Sequence, residues 1–243
     1  MRPPDAVFAD PRLAVLYDVF DDDRGDLDVY QALIDELGAR RIVDVGCGTG
    51  CLAVLLAADG YDVTGVDPAV ASIGVARAKP HADKVTWIEG DATQLDGRVA
   101  DADLAIMTGN VAQVFVEDAD WSATLTAIHG VLRDGGWFVF ETRRPEVRAW
   151  EEWDVPETLR VHPDGRRSVV RRAVTEVSLP LVTFESATQL EGETLRSVST
   201  LRFREYDELV RDLRTHGFEV VEVRDAPDRP GKEWVFLARK CAD

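Results

Sequence analysis

The sequence predicts an α/β protein in which a doubly wound, seven-stranded, mostly parallel sheet carries a small antiparallel β insertion. Two observations lead to this prediction. From residue 41 short β-rich runs alternate with helical stretches, and residues 143–204 interrupt that alternation with strand-like runs around turns. Alternating strands and helices are typical of βαβ units and a parallel sheet. A chain of 243 residues that is 45% hydrophobic can bury the core of such a fold.

Seven β-rich runs account for the strands of the main sheet. They lie at 41–46, 62–67, 84–89, 102–107, 136–142, 218–224 and 234–239, with helices predicted between them at 51–59, 69–79 and about 118–132. The turn-rich sequence APDRPG separates the last two runs, so we expect them to form an antiparallel hairpin. Before the first strand, two short helices are predicted at 11–20 and 27–37, separated by the polar stretch DDDRGD.

The insertion differs from the rest of the chain in pattern and in charge. The turn sequences PDG and EGE separate its β-rich runs, which favours hairpins. Its 11 Arg and 10 Asp/Glu give +1, whereas the whole chain carries −17. We therefore divide the chain into N-terminal helices (1–40), the sheet domain (41–142 and 205–243) and the insertion (143–204), a probable substrate cap.

Composition excludes several classes of protein. An overall charge of −17 opposes binding to a phosphate backbone, so nucleic acid is a disfavoured partner. The longest aliphatic run, 52–58, is far shorter than the roughly 20 residues of a membrane span. The N-terminus lacks the cationic and apolar regions of a signal peptide. Three cysteines without a CxxC pair make a metal site improbable. We expect a cytoplasmic protein without a membrane partner.

A glycine-rich turn follows the first predicted strand. The run Asp44-Val45-Gly46-Cys47-Gly48-Thr49-Gly50 leads directly into a helix, and such a junction brings the backbone close to a ligand. Cys51 occupies the position of the third glycine of the dinucleotide fingerprint counted from Gly46. The frame GTGCLA, shifted to begin at Gly48, does fit that fingerprint, so a dinucleotide-dependent oxidoreductase stays open at this point.

Acidic residues near the ends of further strands complete the pattern. Asp44 stands two positions before the first glycine, and Asp67 ends the second strand 21 residues after Gly46, where a carboxylate can accept both hydroxyls of a ribose. The third strand ends in EGDA, and LRDGG precedes the fifth. In order and spacing, VDVGCGTG, GVDPA, EGDATQL and LRDGGWFVFE resemble the class I S-adenosylmethionine-dependent methyltransferases. The resemblance covers most of residues 41–142 and continues through the closing hairpin.

This resemblance implies S-adenosylmethionine as cofactor and a role for each matching position. Gly46 and Gly48 would line its methionine part, with Asp44 near the amino group, and Asp67 would hold the ribose. The residues implied near the adenine are Pro68, Asp91 and Ala92, and those implied near the sulfonium are Thr108, Gly109 and Asn110. Tyr17 and Tyr30 of the N-terminal helices would close over the cofactor. Structural alternatives are close helix packing for Gly50 and an ordinary N-cap for Thr49.

The methyl acceptor is inferred from motifs that the sequence lacks. The segment after the fourth strand has TGNVAQVF where amino-directed DNA methyltransferases have an NPPY-type motif. A Pro-Cys pair for cytosine methylation and the paired glutamates of protein arginine methyltransferases are also missing. The overall resemblance is to small-metabolite N- or O-methyltransferases with an antiparallel insertion after the fifth strand. We therefore expect a small-molecule acceptor, methylated by in-line displacement without a metal.

Glu141 and Arg143, at the end of the fifth strand, are the predicted catalytic residues, because they can orient a polar acceptor. Alternatively, Arg143 and Arg144 only pair with nearby carboxylates. The insertion also offers Trp150, Trp153 and His162, for which core packing of the tryptophans and a hairpin-surface position of the histidine are the alternatives. An Arg-rich cap would suit an anionic acceptor.

Two further hypotheses about function and assembly stay open in the sequence. The chain is alternatively a cofactor-binding partner or regulatory protein without turnover of its own. A homodimer is possible, since a β insertion can form a dimer interface as well as cap a pocket.

Overall fold

The computed structural model describes residues 1–20, 25–162 and 165–242, and these contain two β-sheets flanked by helices. The strands are β1 Arg41–Val45, β2 Asp62–Asp67, β3 Val85–Glu89, β4 Ala102–Met107, β5 Leu132–Arg143, β6 Val155–Val161, β7 Arg167–Ser178, β8 Leu181–Leu190, β9 Glu193–Arg202, β10 Phe218–Asp225 and β11 Glu233–Lys240. The helices are α1 Ala6–Ala9, α2 Pro11–Phe20, α3 Gly25–Glu36, α4 Cys51–Ala58, α5 Val70–Arg77, α6 Asp118–Val131 and α7 Tyr206–Thr215.

The larger sheet has seven strands in the order β3-β2-β1-β4-β5-β11-β10. Strands β1 to β5 pair in parallel, whereas β11 runs antiparallel to both β5 and β10. The predicted fold class and the predicted final hairpin are therefore confirmed. Because β11 is antiparallel to β5, the loop between β10 and β11 lies at the same edge as the carboxyl ends of the parallel strands.

Helices cover both faces of this sheet. On one face α6 and α7 pack over aromatic side chains, with the Phe140 and Phe236 rings 5.0 Å apart and the Trp121 ring against Phe140. On the other face α3 and α4 bury mainly aliphatic side chains against the same strands. Burial of this apolar surface on both faces supplies the main stabilisation of the domain.

The second sheet contains β6 to β9 in sequence order, with antiparallel pairing throughout. It follows β5, as the fold-class prediction required. Glu191 and Gly192 form a two-residue turn with φ of 51° and 85°, the geometry that a tight hairpin favours. In the PDG sequence, Pro163 and Asp164 lie outside the described residues, as do residues 21–24 of DDDRGD. The domain boundaries stay a prediction.

Three elements differ from the sequence-based expectation. Strand β5 begins at Leu132 instead of 136, because Leu132 pairs with Ala102 before the register shifts next to Gly135 and Gly136. Helices α1 and α7 were not predicted from the sequence pattern. Among the described residues, no helix combines the length and the apolar character that a bilayer crossing needs.

Candidate functional site

A cavity of about 210 Å³ lies at the carboxyl ends of β1 to β4. Its floor is formed by residues at or directly after the ends of these strands: 44–49 at the end of β1, 66–68 at the end of β2, 90–92 after β3 and 108–109 after β4. Loops at the carboxyl ends of parallel strands are the usual ligand-binding position in open α/β sheets. The structure brings together Asp44, Gly46, Gly48, Asp67, Pro68, Asp91, Ala92 and Thr108 on this floor, with Tyr17 above it.

The glycine turn places backbone, rather than side chains, against the cavity. Gly46 has a φ of 74°, and a Cβ atom there would stand 2.6 Å from Val111 Cγ1. Gly48 has a φ of 53°, and a Cβ there would meet no atom within 4 Å. Gly50 differs, because its Cβ would collide with Trp87 and Ala76. The close-packing alternative for Gly50 is therefore confirmed.

Asp67 joins the end of β2 to the glycine turn. Its Oδ2 accepts a hydrogen bond of 2.8 Å from the Gly48 N–H, and its Oδ1 accepts one of 2.7 Å from the Ala69 N–H. Burial raises the pKa of this carboxyl above its ordinary value, although both backbone bonds act in the opposite direction. A carboxylate oxygen has two acceptor positions, so each oxygen retains one for a ligand hydroxyl.

Two other acidic residues line the cavity at neighbouring strand ends. Asp44 is buried near the end of β1. Asp91 caps the short helical turn 92–95, where its Oδ1 accepts a 3.0 Å hydrogen bond from the Thr93 N–H. This hydrogen bond holds the backbone of Gly90 to Ala92 in place against the cavity.

An N-terminal roof, defined as residues 1–20, covers this floor. Met1 to Asp5, Phe8 and Tyr17 line the cavity from above. The Val7 N–H donates to Ser197 Oγ of β9 at 3.0 Å, and Ser72 Oγ of α5 donates to the Phe8 carbonyl at 2.9 Å. The roof therefore contacts both the insertion and the sheet domain.

Asp18 ties the roof to the glycine turn. Its carboxylate accepts a hydrogen bond from the Thr49 hydroxyl and pairs with Lys79 Nζ at 2.6 Å. Burial opposes the charge of Asp18, but its hydrogen bonds from Lys79 and Thr49 lower its pKa below the ordinary value. The alternative of an N-cap role for Thr49 is wrong, since Gly50 is the N-cap of α4 and makes no side-chain cap bond.

Tyr30, Asn110 and Glu141 lie together in a buried polar cluster behind the cavity floor. The Tyr30 hydroxyl and the Asn110 N–H, the latter at 3.0 Å, both donate to Glu141. Asn110 Nδ2 donates to Glu233 Oε1 at 3.1 Å. Burial raises the pKa of Glu141, and the charge of Glu233 adds to this effect. The cluster thus supports the turn at 108–110 from below, and a direct contact of Tyr30 or Asn110 with a cofactor stays a prediction.

Arg143 belongs to the same buried region. Its Nη1 donates to Gln113 Oε1 at 2.9 Å, its Nε lies 3.6 Å from Glu233, and its guanidinium covers the Trp153 ring at 5.3 Å. Burial lowers the pKa of Arg143. Arg144 pairs with Asp225 at 2.8 Å. Both arginines therefore pair with carboxylates, as the alternative states. Glu141 and Arg143 lie behind the cavity floor and support it, and they are not among the residues that line the cavity.

The remaining candidates of the insertion serve its packing. The Trp150 ring lies 4.7 Å from Phe203, and Trp153 packs between Phe184 and Phe203, which confirms the core alternative. His162 is 3% exposed with Nε2 2.9 Å from Ser168 Oγ, so a hairpin-surface position is wrong.

Sequence reasoning missed several parts of the cavity, among them Asp5 before α1, Phe8 of α1, Thr200 of β9 and Arg229 of the β10–β11 loop. Arg229 had a signal in the sequence, because the loop before an antiparallel β11 must lie at the carboxyl edge of β5. Phe8 and Thr200 reach the cavity through long-range packing, for which a local pattern carries no signal. In the described part of the chain, no group of three or more His, Cys, Asp or Glu side chains is arranged to hold a metal ion.

Fold and site together form an α/β domain in which a glycine turn and strand-end carboxylates line one cavity. Residues 42–136 match the family model of a methyltransferase domain. A putative methyltransferase from Geobacillus sp. is 36% identical over 106 residues, covering 43% of this chain and 42% of that protein. A ubiquinone biosynthesis O-methyltransferase from Bordetella avium is 31% identical over 150 residues, covering 58% and 59%.

Solved structures share the whole fold. An S-adenosylmethionine-dependent methyltransferase from Clostridium acetobutylicum superimposes with a TM-score of 0.77 at 14% identity, covering 95% of this chain and 98% of that one. An amino pentose methyltransferase from Micromonospora echinaspora, solved with S-adenosylmethionine bound, gives 0.71 at 21% identity, covering 93% and 96%. Residues 42–136 thus match a methyltransferase domain, and the chain has the fold of S-adenosylmethionine-dependent methyltransferases, whose cofactor is S-adenosylmethionine. It spans about half the length of the curated relatives it matches.

The cavity residues fit this cofactor. Gly48 leaves open space where a side chain would otherwise stand, and Asp67, which lines the cavity, keeps an acceptor position on each oxygen. The match of residues 42–136 to a methyltransferase domain favours this cofactor over a dinucleotide, and the packing role of Gly50 is consistent with it.

Proposed function

We propose that this protein transfers a methyl group from S-adenosylmethionine to a small-molecule acceptor through an N or O nucleophile, by direct in-line displacement without a metal. One observation carries the proposal. The cavity continues from the glycine turn and the strand-end carboxylates to an apolar wall of Phe8, Val114 and Phe115 under the N-terminal roof. Such a wall gives an acceptor a water-poor place beside the cofactor.

When bound, the cofactor supplies an activated methyl group on a sulfonium. The residues of the chain then have to align the acceptor and exclude water. Gly46 and Gly48 would hold the methionine part with backbone, and Asp67 would hold the ribose hydroxyls. The turn at 108–110, supported by Glu141 and Glu233 from behind, would keep its position beside the methyl group.

Asp5 is the residue that we assign to take the proton of a protic acceptor. Its carboxylate lines the roof of the cavity, next to β9 residues Ser199 and Thr200. Burial raises its pKa, while a hydrogen bond with Ser199 and the charge of Arg2 act in the opposite direction. A carboxylate with a raised pKa is a better base toward an amine or a hydroxyl than an ordinary one.

Enclosure and charge favour a small acceptor. The roof and β9 cover the cavity, so an acceptor has to fit beneath them. The net charge of −17 opposes a nucleic acid partner, whereas the +1 of the insertion suits a small molecule that carries a carboxylate. The ubiquinone O-methyltransferase and the amino pentose methyltransferase named above both act on small molecules, which is in line with this proposal.

Calorimetric titration with S-adenosylhomocysteine tests cofactor binding. Asp67→Ala removes the carboxylate that receives the ribose, so we expect at least a tenfold loss of affinity. Asp62→Ala is the matched control, because Asp62 begins the same strand at the opposite edge and pairs only at the surface with Arg41. Equal affinity in wild type and Asp67→Ala would contradict the site, and displacement by NAD would revive the dinucleotide alternative.

Turnover is tested with methyl-labelled S-adenosylmethionine and a panel of small amines, phenols, sugars and hydroxy acids, beside duplex DNA, tRNA and a histone. The proposal expects label on a member of the small-molecule arm. Label on a macromolecule only would contradict the acceptor class. Tight cofactor binding without turnover on either arm would favour the regulatory alternative.

A further inference from the structure

Arg229 is a cationic residue of the cavity lining, and the proposed transfer of the methyl group does not use it. It lies in the loop between β10 and β11, and its side chain lines the cavity. Its Nη1 donates to Glu233 Oε1 at 2.9 Å, and its Nε lies 3.1 Å from Asp228 Oδ2. Among the described residues, its Nη2 has no partner, so one donor edge remains for a ligand.

The anchor of Arg229 is a buried carboxylate. Glu233 is 1% exposed, and the same Oε1 atom that accepts from Arg229 also accepts from Asn110 Nδ2. Burial acts against the charge of Arg229, but Glu233 more than offsets it, and the pKa of Arg229 lies above its ordinary value. The guanidinium is therefore charged and held in one orientation.

Strand order fixes the side of the cavity on which Arg229 lies. Asp67 and Asp91 follow β2 and β3, on one side of the glycine turn, whereas Glu233 begins β11 on the other side, beyond β4 and β5. Val111 packs against Gly46, and Asn110 next to it contacts Glu233, so an unbroken series of contacts joins the glycine turn to Arg229. Arg229 thus lies opposite the ribose and adenine end.

The charges of the cavity lining also favour a ligand role for Arg229. In the described part of the chain, the charged residues of the cavity lining are Asp5, Asp44, Asp67, Asp91, Arg2 and Arg229. Arg2 belongs to the roof, where its charge acts on Asp5. The methionine part of the cofactor carries a cationic amino group and an anionic carboxylate. Asp44 suits the amino group, and Arg229 is the cation on the same side.

We infer that Arg229 binds the α-carboxylate of the cofactor's methionine part, with Glu233 holding its guanidinium in place. An arginine fork is well suited to a carboxylate, because two parallel N–H donors meet two oxygens. This inference rests on the proposed cofactor site. It predicts that Arg229 discriminates ligands with the amino acid moiety from those without it.

Two ligands separate this role from a general one. S-adenosylhomocysteine carries the α-carboxylate, whereas 5′-methylthioadenosine has the same nucleoside and thioether but no amino acid moiety. For Arg229→Met we expect a ten- to hundredfold weaker affinity for S-adenosylhomocysteine, about the value of one charge-assisted contact, and an unchanged affinity for 5′-methylthioadenosine. Arg224→Met is the matched control, since Arg224 pairs with Glu36 and Glu222 at the surface.

A second variant tests the same role if Arg229→Met does not fold. Arg229→Gln keeps an amide donor for Glu233 but removes the charge, and we expect the same selective loss for S-adenosylhomocysteine. Unchanged affinity for S-adenosylhomocysteine in these variants overturns the inference, and so does an equal loss for both ligands, which would assign Arg229 a structural role. Failure of the wild-type protein to bind either ligand would instead reject the proposed cofactor site.

Discussion

At the scale of single residues, the role of a buried carboxylate in this site depends on its hydrogen-bond partners. Asp67 and Asp5 both line the cavity and both have a pKa that burial raises, but Asp67 accepts hydrogen bonds from two backbone N–H groups, whereas the partner of Asp5 is the Ser199 side chain. Hydrogen bonds to the backbone suit a residue that holds a ligand. A carboxylate in a partly dry wall suits one that accepts a proton.

Asp5→Asn tests the proton-accepting role. With an acceptor identified by the panel, we expect kcat to fall about a hundredfold, while the Kd of S-adenosylhomocysteine stays unchanged. Because the ionised carboxylate is the active form, the wild-type rate rises with pH through the raised pKa of Asp5, and the variant loses this rise. A variant with the wild-type rate and pH profile would show that Asp5 takes no proton.

Individual elements divide into those that a local pattern predicts and those that long-range contacts create. Strands β1 to β4 and the final hairpin have apolar runs with glycine or acidic residues nearby, so the sequence pattern predicts where they lie. Helix α1 was missed because its four residues have no buried side chain of their own and are held by β9 and α5.

The candidate site divides in the same way. The glycine turn, the acidic strand ends and the loop before β11 are signals in the sequence, whereas Phe8 and Thr200 reach the cavity only through the tertiary fold. Glu141 and Arg143 were correctly placed at the carboxyl end of β5. The direction in which each side chain points depends on packing against α3 and Trp153, which the sequence pattern does not contain.

Asp103 near the start of β4 joins three strands of the sheet. Its carboxylate accepts from the N–H groups of Arg40 and Arg41, both at 2.9 Å, and from Arg133 Nε at 2.7 Å. Burial opposes these bonds, but they lower the pKa of Asp103 to about 2. A depressed pKa in the folded state stabilises the fold above the ordinary pKa near 4, and this contribution disappears as the pH falls toward 2.

We therefore expect Asp103→Asn to lower the free energy of unfolding at pH 7 by about 1 kcal/mol, a value reduced because Asp103 is partly solvated. Urea unfolding between pH 7 and pH 2 measures the difference from wild type, which should shrink below about pH 4. Asp62→Asn, at the exposed start of β2, serves as control. A difference that stays constant down to pH 2 would contradict the stated contribution.

On the scale of the whole molecule, the roof connects the sheet domain to the insertion. Its contacts with Ser197 of β9, Ser72 of α5 and Thr49 of the glycine turn cross three parts of the chain. We expect exchange of a ligand beneath it to require these contacts to open. The rate of ligand release should therefore depend on residues that do not touch the ligand.

Asp18→Ala removes the link of the roof to Lys79 and Thr49. We expect S-adenosylhomocysteine to dissociate several-fold faster in stopped-flow measurements, with faster hydrogen exchange in residues 5–20. Asp10→Ala is the control, because the Asp10 side chain pairs with Arg12 within the roof itself. Dissociation at the wild-type rate in Asp18→Ala would show that the roof does not limit release.

The antiparallel strand β11 has one more consequence, which concerns synthesis of the chain. The cavity is lined by residues 1–5 at one extreme and by Arg229 near the other. A ribosome releases residues 1–5 before Arg229, so they have to wait for the β10–β11 loop before the pocket is complete. Because Glu233 holds Arg229, we expect a nascent chain to bind the cofactor with full affinity only after residue 233 has left the exit tunnel.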